Sequence, residues 1–323
     1  MGLFGGNYER AGVGIAKNAP KKKGFFRYME IFGQKFWKLL ELNVIYFLCF
    51  VPLLAAVVLY LTMQSTLGMI LAVVCLLLFV VLIGPATAAH TKILKNFFME
   101  KPTFLLHDFL HTIRSEFKHS VVVGVLDCLL VCCISAAFYV YPQLIEQTGS
   151  KVYYVFFAIT LSIGLIALLM NFYIFLMMIS TNLSLKNVLK NSLALAVVAL
   201  KKNVITLLIV AAVVAVFVLV FIFVDIKYSL ILLFLLPFMP ASWLGLVVVM
   251  QCYPVIQKYI INPYYEQRGE VNPELLQSTS SEDETVFEDM GGKEKPIEPA
   301  KKAKNGKSGG KGSSRGHKGK IIS

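Results

Sequence analysis

The chain has 323 residues, of which 57% are apolar and 15% are charged, too few charges to cover the surface of a soluble globule of this length. This composition excludes an ordinary water-soluble protein. The net charge of +12 would suit a nucleic-acid partner, but no recognisable fold or aromatic platform accompanies the basic residues, so nucleic acid is disfavoured.

Six apolar blocks almost free of charge follow one another along the chain. A helix of about 20 residues crosses a hydrocarbon core of about 30 Å while satisfying its own backbone hydrogen bonds. We therefore predict an all-α, polytopic membrane helix bundle with six transmembrane helices. Its first block begins too late and is too long to be a cleaved signal peptide. The six blocks cover residues 43–63, 67–89, 120–141, 152–179, 204–224 and 229–253.

The basic residues lie on one side of this predicted topology. Of the 31 Lys and Arg residues, 29 fall in the two termini and in the loops after the second and fourth blocks. Lys151 and Lys227 are the two in the alternate loops. The positive-inside rule then places the N-terminus and the C-terminus in the cytoplasm.

The N-terminal region divides into an arm and a helix. Residues 1–24 are Gly-rich and basic, which predicts a disordered arm. Residues 25–40 carry apolar side chains at helical spacing. Two interpretations stay open for them: an interfacial amphipathic helix, and an extension of the first transmembrane helix. Pro52 interrupts the first block and predicts a kink or hinge.

A second amphipathic stretch follows the second block, which we expect to end at Gly84 and Pro85. A third begins near Leu185, so we predict two or three cytoplasmic amphipathic helices. The second is a candidate partner-contact helix, since an apolar stripe beside basic residues suits docking into a groove. Its stripe consists of Leu106, Phe109, Leu110, Ile113 and Phe117.

The chain changes character after the sixth block. We predict that residues 25–265 form the membrane domain and that residues 266–323 form a disordered cytoplasmic tail, acidic and then rich in Lys and Gly. Two roles stay open for the basic end: contact with anionic lipid, and a solvated solubilising tail.

Asp127 is the most unusual residue inside a predicted span. A carboxylate there is costly unless it is protonated, paired or facing a polar cavity. Asn171, in the fourth block, is expected at a similar depth. The pair has two interpretations: a polar site for a proton or solute, and a hydrogen bond that holds two helices together.

Other chemistry is not supported by the sequence. His107 and His111 have the spacing of zinc ligands on a helix, but no third ligand stands at a compelling distance along the chain. All six cysteines lie in apolar blocks, and no nucleophile, acid–base pair or phosphate-binding loop is recognisable. We therefore expect no metal, no cofactor and no enzymatic activity.

Four short motifs resemble the YesL family of bacterial membrane proteins, which contain a domain of unknown function. The resemblance covers residues 25–265, and the Lys-rich tail departs from it. The motifs are FWKLLELN at 36–43 with Pro52, IGPATAA at 83–89, FLHTIRSEFKHS at 109–120 and SLKNVLKNSLALA at 184–196.

The resemblance implies a location in the bacterial cytoplasmic membrane and an accessory or regulatory role in carbohydrate uptake or sensing. A sugar ABC transporter or a sensor kinase would be the partner, besides the lipid bilayer. The alternative is a transporter or permease subunit that moves a small solute along Asp127 and Asn171. The coupling-loop motif of ABC sugar permeases is not recognisable in either candidate loop.

Overall fold

The computed structural model describes residues 24–63, 65–223 and 240–274. Residues 24–264 of this set belong to one compact unit, and residues 265–274 belong to a second. Within the described residues the secondary structure is helical, which confirms the all-α prediction. The predicted disordered arm and most of the predicted tail lie outside the described residues.

Nine α-helices and one π-helical segment can be traced in the described part of the chain. The first seven run in order along the chain to residue 223. The π-helical segment, Gln257–Ile261, lies between the last two helices. The α-helices are α1 Phe25–Leu48, α2 Val51–Thr62, α3 Thr66–Phe98, α4 Leu105–Thr148, α5 Val152–Ser180, α6 Leu185–Val198, α7 Leu200–Phe223, α8 Pro240–Ile256 and α9 Asn262–Arg268.

Five of the described helical segments are long and apolar enough to cross a bilayer, and α1 with α2 makes a sixth if this bent pair is one span. Their outward-facing side chains are apolar: Leu77 is 59% exposed, Val131 61% and Ile222 67%. Exposed apolar side chains on helices of this length are stable against lipid chains and not against water. The chain is therefore a multi-pass integral membrane protein.

The N-terminal amphipathic segment and the first part of the first predicted span form one helix. Helix α1 runs without a break from Phe25 to Leu48, so residues 25–40 are not a separate helix. The break comes at residues 49–50, just before Pro52 in the first turn of α2, and the two helices bend by 44°. A proline is tolerated there because the first backbone N–H groups of a helix have no intrahelical partner.

Two predicted boundaries are wrong. Helix α3 does not end at Gly84 and Pro85 but continues to Phe98, and α4 joins the predicted cytoplasmic helix to the third span without a break. Proline inside a membrane helix is tolerated when neighbouring groups compensate the lost hydrogen bond. The connection between α3 and α4 is therefore only residues 99–104, and we call the end of the bundle on which it lies the connection side.

Helices α3 and α4 approach closely where two glycines face each other. A Cβ atom added to Gly84 would lie 2.0 Å from the Ser120 carbonyl oxygen, and one added to Gly124 would lie 2.7 Å from the Gly84 Cα. Backbones meet at this distance only through small residues, which are the usual packing surface between membrane helices. This contact holds the longest helix of the described chain against its neighbour.

The sixth predicted block is described only in its second half. Residues 229–239, including Pro237, lie outside the described residues, whereas Pro240 is the first residue of α8. The helical conformation does not stop at Tyr253 but continues through the π-helical segment to Arg268. Pro254 lies three residues before this segment, and its missing N–H disturbs the regular hydrogen-bond ladder.

The glycine contact can be tested with a matched pair of substitutions. Because its new methyl group would meet a backbone oxygen, Gly84→Ala should lower the free energy of unfolding by about 1–3 kcal/mol. Gly33→Ala on α1, where nothing lies within 4 Å of the added Cβ, should have no such cost. Denaturant unfolding of the purified protein in micelles measures both, and equal effects would contradict the close approach.

Candidate functional site

A cavity of about 450 Å³ lies among α1, α3, α4, α5 and α8. This volume is within the range of about 300–1,000 Å³ that small-molecule sites occupy. Its walls are mainly aliphatic and aromatic, and six of its lining residues carry polar side-chain groups. These are Tyr46, Thr87, His90, Thr91, Asp127 and Asn171.

Asp127 and Asn171 meet in this cavity. Asp127 lies on α4 and Asn171 on α5, and their side chains interact with each other. The two helices are antiparallel and joined by a turn at residues 149–151, where Gly149 adopts a positive φ of 64°. Both residues are a similar number of positions from that turn, which puts them at the same depth. The sequence predicted this juxtaposition from position alone.

The hydroxyl groups on the α1–α3 wall form hydrogen bonds whose donors and acceptors can be assigned. Thr87 donates its hydroxyl hydrogen to the Ile83 carbonyl oxygen at 2.8 Å, so the Tyr46 hydroxyl, at 3.0 Å, must be the donor to Thr87 Oγ1. Thr91 donates to the Thr87 carbonyl oxygen at 2.7 Å. The hydrogens of these groups are therefore occupied, and the oxygens of Tyr46 and Thr91 keep lone pairs free to accept.

His90 connects the cavity wall to α8 and α1. Its ring stacks on Tyr46 with centroids 4.5 Å apart, and its Nε2 lies 3.0 Å from Ser242 Oγ. Asn43 Oδ1 accepts from the Ser242 backbone N–H at 3.0 Å. His90, Asn43 and Ser242 are all buried, so this chain of polar contacts locks α1, α3 and α8 together in the bundle interior.

A second buried polar cluster lies between the cavity and the connection side. Lys95 Nζ donates to Ser180 Oγ at 3.0 Å and lies 4.6 Å from the centre of the Tyr253 ring. Thr112 and Glu116 on α4 are buried as well. An ammonium group is stable in this interior because a hydroxyl and an aromatic face replace part of its hydration.

A third buried cluster holds the junction of α6 and α7. The Tyr173 hydroxyl donates to Asn203 Oδ1, and Asn203 Nδ2 donates to the carbonyl oxygens of Leu195 and Ala196 at 3.2 and 2.9 Å. Asn203 thereby adds a side-chain donor to carbonyl oxygens in the last turn of α6, where the Leu195 oxygen also accepts from the Ala199 N–H at 3.0 Å. This contact is structural and lies apart from the cavity.

The candidate partner-contact helix lies on the first four turns of α4, and its stripe is divided. Phe109 is only 2% exposed and packs inward beside Thr112 and Glu116. Leu106, Leu110 and Phe117 are 58%, 46% and 40% exposed, and Ile113 is intermediate. Four of the five predicted residues therefore form one outward stripe, and Phe109 belongs to the buried face.

The two histidines on this helix do not form a metal site with any described residue. Their rings stack with centroids 6.1 Å apart, and Asp108 Oδ1 lies 3.4 Å from His107 Nδ1. Within the described ranges no group of three or more His, Cys, Asp or Glu is placed to hold a metal ion. All six cysteines are free thiols.

One comparison with known proteins gives a match. A family model described as protein of unknown function, DUF624, matches residues 65–140. That segment contains all of α3 and most of α4, including the Gly84–Gly124 contact, Asp127 and the outward stripe. No curated protein and no solved structure matches the chain.

Sequence reasoning missed most of the cavity wall. Tyr46 and Thr87 are ordinary residues in apolar blocks, and the sequence predicts a helix end at Gly84 and Pro85, before His90 and Thr91. A usable signal was present, since Asn43 and His90 are polar residues at the borders of apolar blocks and Ser242 is a polar residue inside the sixth block. Which partner each one meets depends on how the helices pack, which periodicity does not specify.

The His90 contact can be tested by Ser242→Ala. The substitution leaves the buried Nε2 of His90 without its partner, which should lower the free energy of unfolding by about 1–3 kcal/mol. Ser162→Ala is the matched control, because Ser162 is exposed and bonds only to its own helix, at the Ala158 carbonyl. Unfolding in mixed micelles should separate the two variants, and indistinguishable curves would contradict the role given to Ser242.

Proposed function

We propose that this chain is a non-enzymatic, YesL-like protein of the bacterial cytoplasmic membrane that serves as an accessory or regulatory component of carbohydrate uptake or sensing. In this proposal both termini lie in the cytoplasm, which the distribution of basic residues supports. The observation that carries the proposal is the apolar stripe of Leu106, Leu110, Ile113 and Phe117, which faces outward on a part of α4 that the bilayer is too thin to cover.

The length of α4 supports a segment outside the bilayer. With 44 residues the helix is about 66 Å long, whereas the hydrocarbon core is about 30 Å thick. Its predominantly apolar stretch is residues 120–141, in which Asp127 is the one charged residue, and the residues before it include Arg114 and Lys118. Residues 105–119 therefore project on the connection side, and the excess of basic residues in the loops there supports a cytoplasmic location.

The four stripe residues are spaced as i, i+4, i+7 and i+11, so they form one continuous line along the projecting helix. The adjacent face, with Phe109, Thr112 and Glu116, is buried in the bundle. The stripe is therefore a second apolar face with no described helix covering it. An apolar helical face of this kind is suited to binding the groove of another protein.

The carbohydrate association is supported only by the resemblance of four motifs to the YesL family. The matched family is one of unknown function. The YesL-like motifs at residues 36–43, 83–89, 109–120 and 184–196 suggest a sugar ABC transporter or a sensor kinase as the partner. The basic end of the tail would add contact with anionic lipid in the same leaflet.

The stripe can be tested with two double variants that introduce the same charge. Leu110→Glu with Phe117→Glu should abolish co-purification of a sugar-transporter subunit or sensor kinase, because a carboxylate cannot be buried in an apolar groove. His111→Glu with Ser115→Glu, on the opposite exposed face, should leave co-purification unchanged. Sugar uptake by cells carrying each variant gives the functional measurement.

Unchanged partner recovery and unchanged uptake in the stripe variant would overturn the proposal. Phe109 is not a suitable position for this test, because it is buried and its substitution by Glu would unfold the helix rather than report on a partner.

The second candidate function is a permease subunit, which the meeting of Asp127 and Asn171 in an intramembrane cavity favours. Polar residues facing a cavity at membrane depth are typical of solute and proton pathways. The permease differs from the accessory protein in one observable, which is net flux of solute or protons into proteoliposomes that contain this chain alone.

A further inference from the structure

The cavity described above has an unbalanced charge. Asp127 is its one acidic residue, and among the described residues that line it there is neither lysine nor arginine. An isolated carboxylate in a low-dielectric interior is costly, so it must either carry a proton or face a cation. His90 is the one ionisable base among these lining residues, and its ring is engaged with Ser242 and Tyr46. An occupant of the cavity could supply the cation instead.

The polar groups around Asp127 are arranged to accept hydrogen bonds. The hydroxyl hydrogens of Tyr46 and Thr91, which also line the cavity, are already donated within the protein, so toward an occupant their oxygens can act only as acceptors. Asn171 adds an amide oxygen, and Asp127 adds two carboxylate oxygens. An ammonium group offers three donors and no acceptor, and so complements this set, whereas an anion does not.

Away from the connection side, the cavity is lined by apolar residues on α4 and α5. Helix directions place four lining residues farther from the connection side than Asp127 and Asn171: Val131, Ile134, Gly164 and Leu168. Ile134 packs closely against Gly164, where an added Cβ atom would lie 2.6 Å from Ile134 Cδ1. An alkyl chain attached to a group bound at Asp127 would therefore meet apolar residues on these two helices.

The cavity also reaches the outer surface of the bundle. Val131 and Leu168 line it and are nevertheless 61% and 42% exposed. Their neighbours Leu129 and Leu165 are exposed apolar side chains on the same two helices. At this depth the surface of α4 and α5 faces lipid chains, so the opening leads sideways into the bilayer.

We propose that this cavity binds an amphipathic amine taken up from the membrane. Its ammonium group contacts Asp127 and Asn171, with the oxygens of Tyr46 and Thr91 as further acceptors. Its alkyl chain extends past Val131 toward Ile134 and Gly164. This inference concerns binding alone and does not depend on the accessory role or on transport, since the stripe on α4 is a separate surface.

The test uses the full-length protein in nanodiscs of zwitterionic lipid at neutral pH, with radiolabelled n-decylamine as the probe. Unlabelled decylamine should displace the label with a competition constant at least tenfold lower than those of decanol, decanoate and decyl glucoside. All four competitors have the same chain, so the comparison isolates the head group. Equal competition by decanol would show apolar binding only, and stronger competition by the glucoside would show a sugar site; either result overturns the proposal.

Two substitutions then test whether the Asp127 carboxylate binds the ammonium group. Asp127→Asn keeps the size of the side chain and its capacity to bond with Asn171, and should weaken decylamine binding by about tenfold or more, since a buried charge pair contributes several-fold more than a neutral contact. Glu146→Gln removes an exposed carboxylate from the same helix and should leave binding unchanged. Undiminished binding by Asp127→Asn overturns the proposal, and the head-group comparison on the wild-type protein decides it even if that variant does not fold.

Discussion

The hydrocarbon core of a bilayer offers no hydrogen-bond partner to a peptide group, and this constraint accounts for the main features of the chain. Each crossing segment must satisfy its own backbone, which it does as a helix. The outward side chains are apolar because they face lipid, as Leu77 and Val131 do. Lipid chains are as apolar as the side chains of the helices, so the hydrophobic effect does not drive one membrane helix against another. Helix association therefore depends on close packing and polar contacts. The Gly84–Gly124 approach and the contacts of His90 with Ser242 supply these two kinds of interaction.

The same constraint separates two candidate functional surfaces on one helix. Inside the bilayer, Asp127 is the one polar residue that α4 contributes to the cavity lining. A carboxylate at that depth needs a proton, a hydrogen-bond partner or a cation. The first turns of α4 carry the outward stripe of Leu106, Leu110, Ile113 and Phe117, and in the proposed topology this stripe faces water, where an apolar face is stable only when covered. Because the backbone of α4 is unbroken from Leu105 to Thr148, the two surfaces share one rigid element.

The fold class was predictable because it depends on composition and length, which are local properties of the sequence. Helix ends were harder: Gly84 and Pro85 signal a terminus in water, but α3 continues through them, with Gly84 packed against Gly124 of α4. The amphipathic pattern identified the four outward residues of the stripe, but it grouped Phe109 with them although Phe109 is buried. Asp127 and Asn171 could be paired because a short turn fixes the register of α4 and α5. His90, Ser242 and Asn43 are far apart in sequence, and no local rule brings them together.

The claim on which the account rests is that α4 crosses the membrane, with its first turns on the cytoplasmic side. The most direct measurement introduces single cysteines, Ser115→Cys and Gln147→Cys, into a chain whose native cysteines are replaced, and labels whole cells with a membrane-impermeant thiol reagent. The account predicts that the cysteine at position 147 is labelled in intact cells and that the one at position 115 is labelled only after permeabilisation. Labelling of both positions, or of neither, in intact cells would place the two ends of α4 on the same side and contradict it.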